Sequence, residues 1–162
     1  ITNYTDTADQ GVDYLLSINY LEYRSLIYIL DVYYTKEGME VTEPETAQFL
    51  VNSGVNVAIV ESNNGGRGFA INVNQIIKEK YPRANVHIQW FHQSHNKRSR
   101  IMSESASVQN KVIMPVDWRT RWPEFYRDLT GYMKEGKNDN DDAPDAITGC
   151  VENASREIEF LT

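Results

Sequence analysis

Residues 55–60 read Val-Asn-Val-Ala-Ile-Val and run straight into Glu61 and the glycine-rich turn Asn63-Asn64-Gly65-Gly66-Arg67-Gly68. A short, nearly continuous apolar run is the pattern of a strand covered on both faces, so the chain must build layers above and below it. Such a strand rarely ends in a carboxylate unless the carboxylate has a partner or a metal. Two ordinary roles compete with a metal here: a salt bridge to Arg67, or an N-cap for the following helix.

Ahead of this strand the chain is β-rich. Residues 1–6, 13–20 and 26–35 carry Ile, Tyr, Leu and Val, with turn signals at Gln10-Gly11 and between Leu21 and Ser25. The short links favour an antiparallel meander. Thr42-Glu43-Pro44-Glu45 predicts a helix start with proline in the first turn; Ala47, Leu50 and Val51 give its apolar face and Gly54 its end. Beyond the glycine turn, Phe69, Val73, Ile76 and Ile77 fall at helical spacing as far as Pro82. Residues 85–91 predict a strand, 94–110 a helix of polar pattern, and 111–115 a short strand. Trp122, Phe125, Leu129 and Tyr132 predict an amphipathic helix with Pro123 near its start and Gly136 as C-cap. An exposed acidic loop over 135–142 leads to a last helix that starts near Asp141 and buries Ala146, Ile147, Cys150, Val151 and Ala154. This order predicts an α/β fold: a mixed sheet, antiparallel meander first and parallel strands after, with helices on both faces.

A chain of 162 residues is long enough to bury one core of its own, and one domain is the expected count. It begins at Ile1 with what reads as a strand, which suggests a domain excised from a longer protein. No apolar run approaches a membrane span and no signal peptide opens the chain. The lone Cys150 rules out an internal disulfide, fits a reducing compartment, and reads as a small buried hydrophobe. A formal net charge of −7 argues against nucleic-acid binding by bulk electrostatics but not against a nuclease. The basic residues are clustered: Lys97, Arg98, Arg100 and Lys111 in one region, Arg119, Arg121 and Arg127 in the next.

Three acidic positions stand out. Asp6 closes the first strand beside Thr5, Thr7, Asp9 and Asp13; an acid there is also a common turn former, a task Asp13 can take. Glu61 closes the buried strand. Asp141, Asp142 and Asp145 open the last helix, where acids complement the macrodipole; Asp142 and Asp145 share one face, and Asp145 adjoins the buried stripe. Brought together, these carboxylates would repel strongly, and divalent cations are the usual compensation. The glycine turn could receive a phosphate on its N–H groups, or serve only as a tight turn. A helix would bring His92 and His95 to one face as a metal pair, but no third ligand stands at zinc-like spacing. Lys97, Arg98 and Arg100 could contact a phosphate backbone or form a solvated helix face.

Asp6-Thr7-Ala8 followed by Gly11-x-Asp13-Tyr14, Glu61-Ser62-Asn63 with Gly68-Phe69-Ala70, Asn96-Lys97 through Arg100-Ile101, and Asp141-Asp142-Ala143-Pro144-Asp145-Ala146 occur in that order. Together they resemble the C-terminal nuclease domain of tailed-phage terminase large subunits, in the ribonuclease H-like superfamily. The resemblance covers nearly the whole chain and places the family's three core acids on Asp6, Glu61 and Asp145, with Asp142 in the place of an assisting histidine or aspartate. The long acidic approach over 138–142 departs from the pattern and leaves open whether Asp141 or Asp142 assists.

The resemblance implies a Mg2+- or Mn2+-dependent endonuclease cutting double-stranded DNA during phage genome packaging, by two-metal phosphodiester hydrolysis. Asp6 would bridge both ions, Asp145 with Asp142 would hold the ion that activates water, and Glu61 the ion at the leaving oxygen. Arg67, Lys97, Arg98 and Arg100 would position the DNA backbone. The implied partners are double-stranded DNA, an upstream ATPase domain, a small terminase subunit and a portal, in the cytoplasm of a bacterial host. The rivals are another ribonuclease H-like nuclease (a junction resolvase or RNA–DNA hybrid cutter) and a non-catalytic DNA-binding or assembly module of the motor.

Overall fold

The apolar run that ends on Glu61 lies inside a six-stranded sheet, one strand in from its edge. In the computed structural model, which describes residues 1–7, 14–132 and 136–159 (side chains of 64 and 155–159 apart), the strands are β1 (Thr2–Asp6), β2 (Leu15–Tyr23), β3 (Leu26–Thr35), β4 (Val57–Glu61), β5 (His87–Phe91) and β6 (Val112–Ile113). Their order is β5-β4-β1-β2-β3-β6. β1, β2 and β3 form the antiparallel meander, while β4 runs parallel to β1, β5 to β4 and β6 to β3. The expected mixed sheet is therefore present. The turn at Gln10-Gly11, Asp9, Asp13 and Glu135 lie outside the described residues.

Register positions the site. Thr5 stands beside Val60 in the parallel pair, so the next residues, Asp6 and Glu61, leave the sheet together on one face. On the opposite face of β1, Asn3 Nδ2 donates to Ser17 Oγ and Asn19 Oδ1 (both 2.8 Å), and Thr5 Oγ1 donates to Asn3 Oδ1 (2.8 Å). All four residues are fully buried, and this network ties β1 to β2 beneath the acid at its end.

Two apolar cores flank the sheet. Leu15, Ala58 and Val60 pack with Ala47 and Leu50 of α1 (Met39–Asn52) and Phe69, Val73 and Ile77 of α2 (Gly66–Lys80). On the other face, Tyr4, Leu16, Ile18, Ile27 and Ile29 pack with Ala146, Ile147, Cys150 and Val151 of the last helix. Three further helices complete that layer: α3 (Lys97–Lys111), α4 (Trp118–Arg121) and α5 (Pro123–Thr130); the last helix is α6 (Asp142–Glu159).

Several local expectations change. α1 begins at Met39, because the Gly38 carbonyl already accepts from Val41 and Thr42 (3.0 Å each), which moves Pro44 into the second turn. The helix expected around Trp122 is two helices, since proline at 123 disfavours helical backbone in Trp122 (φ −131°, ψ 67°). Gly131, not Gly136, closes it, its N–H donating to Arg127 O (2.9 Å). His92 and His95 lie in the loop between β5 and α3 rather than on a helix.

Candidate metal centre

Asp6 ends β1, Glu61 ends β4, and Asp145 sits in the first turn of α6. Each offers a carboxylate oxygen, and these three atoms lie within 4.8 Å of one another. Glu61 and Asp145 are buried, with 7 % and 1 % of their surfaces exposed. The structure thus brings together the three acids the sequence singles out.

Two glycines permit this convergence. A Cβ at Gly66, where α2 starts, would stand 1.9 Å from the Glu61 carbonyl oxygen, so only glycine lets the helix start so close to the strand end. A Cβ at Gly149, one turn after Asp145, would stand 2.3 Å from Tyr4 Cζ. That close approach seats α6 on β1. Pro144 fits the first turn of α6, where no intrahelical donor is needed.

The carboxylates are held by a surrounding shell. The Tyr4 hydroxyl donates to Glu61 Oε2 (2.8 Å) from a fully buried ring. Arg100 Nη1 donates to Asp145 Oδ1 (2.7 Å), and the same guanidinium reaches Glu152 Oε2 (2.9 Å). Lys97 Nζ lies 3.3, 3.2 and 3.5 Å from carboxylate oxygens of Asp141, Asp142 and Asp145. Asp142 is engaged twice, its Oδ2 accepting from Tyr14 N–H (3.1 Å) and its Oδ1 from Lys97. It stands beside the three converging acids. Asn63 and Gln93 clamp the two adjoining loops: Asn63 Nδ2 donates to Gln93 O and Gln93 N–H to Asn63 Oδ1, both 2.9 Å.

The charges record this crowding. Burial, then the Glu61 charge, pushes the Asp6 carboxyl well above the usual range, against the opposing pull of Lys97. Burial pushes the Asp145 carboxyl up to about 6, although Lys97 and Arg100 oppose it. Burial works against a charged Lys97, yet Asp6, Asp145, Asp142 and Asp141 outweigh it and hold the ammonium above its ordinary value. Lys97 opposes the shift at both carboxyls and Arg100 at Asp145, yet burial and the neighbouring like charges prevail. The pocket between them holds ≈ 160 Å3 and is lined by Asp6, Glu61, Asn63, Gln93, Lys97 and Asp145. This space admits cations together with coordinated waters. All-oxygen donors suit Mg2+ or Mn2+.

The expected DNA-contacting residues divide. Arg67 and Arg98 are exposed. Arg100, grouped with them in the sequence, turns inward instead, 5 % exposed, because Asp145 and Glu152 capture its guanidinium. Tyr4 and Glu152 went unrecognised in the sequence. Their signal was spacing: Tyr4 lies two residues before Asp6 on one strand face, and Glu152 seven after Asp145 on one helix face.

Comparison with known proteins agrees with this geometry. No curated protein matches the chain in sequence. Among solved structures, the nuclease domain of the large terminase subunit gp2 of bacterial virus Sf6, determined with manganese and beta-thujaplicinol, is 10 % identical with a TM-score of 0.59. It matches over 93 % of this chain and 86 % of that one. The manganese-soaked terminase nuclease domain of human cytomegalovirus is 10 % identical with a TM-score of 0.56, over 95 % of this chain and 81 % of that one. The fowlpox virus resolvase bound to Holliday junction DNA is 12 % identical with a TM-score of 0.54, over 94 % and 99 %. These likenesses show a shared ribonuclease H-like fold. The model of one family, "Terminase Bacteriophage T7, Ribonuclease H-like domain", matches residues 5–112, which is two thirds of the sequence and includes β1 with Asp6 and β4 with Glu61. The chain belongs to that terminase ribonuclease H-like domain family.

Proposed function

We propose that this chain is a metal-dependent endonuclease that hydrolyses phosphodiester bonds of double-stranded DNA during viral genome packaging. The observation that carries the reading is the convergence of Asp6, Glu61 and Asp145 from β1, β4 and α6. The terminase family, and the manganese named with two structurally similar terminase nuclease domains, support it. Asp6, Glu61 and Asp145 would hold two divalent ions, Mg2+ or Mn2+, with Asp142 at the margin. When bound, such ions lower the pKa of a coordinated water and stabilise charge on the leaving oxygen.

The chain's own residues do the rest. Tyr4 fixes the orientation of the Glu61 carboxylate, and Arg100 fixes that of Asp145 while Glu152 holds Arg100. Lys97 neutralises part of the acidic cluster from the α3 side. Arg67 and Arg98 are the proposed contacts to the DNA backbone; Arg100 becomes a positioning residue. In this reading the domain works in the host cytoplasm beside an ATPase domain, a small terminase subunit and a portal. Among the described residues no helix is long and apolar enough to cross a membrane.

The test is nicking of supercoiled plasmid with Mn2+ or Mg2+. Wild type should nick, and Asp6→Asn should lose nicking by several orders of magnitude; equal nicking by Asp6→Asn would overturn the assignment. A junction resolvase is the second reading, favoured by the fowlpox likeness over nearly all of both chains. Faster cutting of a four-way junction than of a linear duplex would select it.

A further inference from the structure

Among the described residues that line the acidic pocket, His95 is the proton-carrying side chain that the proposed reaction leaves idle. It lies in the loop between β5 and α3, three residues past His92, which does not line the pocket. Its anchor is Gln93, a buried residue whose backbone is bonded to Asn63 across the exits of β4 and β5. Glu61 pairs with Phe91 at those same strand ends, so the loop carrying His95 is tethered on the Glu61 side of the pocket. Gln93 Oε1 accepts from the His95 backbone N–H (3.1 Å) and faces the ring Nδ1 (3.3 Å). A backbone N–H only donates, so the Gln93 atom it meets is the oxygen, and a ring nitrogen sharing that oxygen must carry a hydrogen. Nδ1 is therefore the protonated nitrogen, and Nε2 is left to exchange a proton with a substrate.

We infer that His95 is the general acid of the reaction, giving its Nε2 proton to the leaving 3′-oxygen while Gln93 holds the ring by Nδ1. The inference rests on the nuclease reading and adds a catalytic residue to it. Water attacks phosphorus, the bond from phosphorus to the 3′-oxygen breaks with its electron pair on oxygen, and the Nε2 proton neutralises that oxygen. The imidazole left behind regains a proton from solvent, to which the exposed His95 has access. Position favours it, because Glu61 is the acid proposed beside the leaving oxygen and His95 is tethered to the exits of β4 and β5. Elimination favours it too. Lys97 and Arg100 also line the pocket and carry hydrogens, but Lys97 is held by Asp141, Asp142 and Asp145, and Arg100 by Asp145 and Glu152. Those carboxylates keep both groups charged, so neither gives a proton up. Asp6, Glu61 and Asp145 are committed to metal and must be ionised to hold it.

The experiment follows single-turnover cutting of one defined bond in a DNA duplex in Mn2+, read at nucleotide resolution, by wild type, His95→Ala and His95→Gln. The duplex is made twice, with oxygen or with sulfur as the bridging 3′ atom of that bond, since a thiolate leaves without needing a proton. On the oxygen bond both variants should lose about 100- to 10,000-fold in rate, the range of general acid catalysis. On the sulfur bond they should cut nearly as fast as wild type, and calorimetry should show unchanged Mn2+ affinity. No loss on the oxygen bond, or equal losses on both bonds, overturns the inference. Recovery by His95→Gln, which keeps a hydrogen-bond donor but cannot transfer a proton, would make His95 a phosphate contact and also overturns it. So does weakened Mn2+ binding in His95→Ala, which would make it a metal ligand. These outcomes leave the nuclease reading standing, since that falls only if Asp6→Asn still cuts.

Discussion

Replacing Gly149 by alanine tests whether the contact between α6 and β1 sets the geometry of the acidic site. Helix propensity alone favours the change, since alanine is better than glycine in a helix interior by about 1 kcal/mol. The structure predicts the opposite sign. The new methyl would lie 2.3 Å from Tyr4 Cζ and 2.7 Å from its hydroxyl oxygen, and ordinary contact begins at 3.4 Å, so something must move by 3.4 − 2.3 = 1.1 Å. The ring cannot swing aside freely, because its hydroxyl is bonded to Glu61 and it is fully buried. Overpacking of this kind costs about 1–3 kcal/mol, which offsets the propensity gain and leaves a net loss of about 1 kcal/mol. The effect on activity should be larger, since a shift of about 1 Å in catalytic groups can lower the rate ~100-fold. Gly68→Ala in α2 is the control: nothing lies within 4 Å of its new methyl, and it should stabilise by about 0.5–1 kcal/mol. Urea unfolding in chelator, together with plasmid nicking in Mn2+, reads both quantities. Should Gly149→Ala match Gly68→Ala in stability and nick at the wild-type rate, the proposed seating of α6 on Tyr4 is wrong.

Three further outcomes follow from the same geometry. Tyr4→Phe removes the hydroxyl that orients Glu61, and Mn2+ affinity by calorimetry should fall about 10–100-fold; unchanged affinity would remove Tyr4 from the account. Arg100→Met leaves Asp145 without its buried partner and should destabilise the metal-free protein by about 3–5 kcal/mol, with most of that recovered in Arg100→Met/Asp145→Asn. No recovery in the double variant would mean that packing, not charge, is what Arg100 supplies. The pH dependence has a definite sign. The Asp145 carboxyl is raised from 3.8 to about 6 in the folded protein, so between about pH 4 and pH 6 the unfolded chain ionises first and stability falls as pH rises. The full loss is about 3 kcal/mol (6 − 3.8 = 2.2 pH units at about 1.36 kcal/mol each), complete above pH 6, and Asp6 shifts in the same direction. Mn2+ should reverse it, raising the thermal midpoint more at pH 8 than at pH 5; an equal rise at both would contradict the linkage.

Local composition carried the elements further than their geometry. The run into Glu61 identified an interior strand because burial on both faces demands continuous apolar residues, and the helical spacing of apolar residues from Ala146 to Ala154 identified α6. Asp6, Glu61 and Asp145 were legible as a set through the order of their motifs. Their convergence depends on the β1–β4 register and on Gly66 and Gly149, whose close contacts involve residues 5 and 145 positions away in sequence. The direction of a long cation was also hidden. Lys97, Arg98 and Arg100 read alike as a basic helix face, yet three residues of α3 turn the first and last toward α6 and leave Arg98 exposed. Helical spacing could place them, but only the packing of α3 on α6 decides which of them meet acids.

The central claim is that Asp6, Glu61 and Asp145 together hold divalent metal, and crystals soaked in manganese test it directly. Anomalous difference density should show two peaks about 3.5–4 Å apart, bounded by Asp6, Glu61 and Asp145, and both should vanish in Asp6→Asn. Density absent from this pocket at saturating manganese, or peaks bound only by acids elsewhere on the surface, would contradict the account.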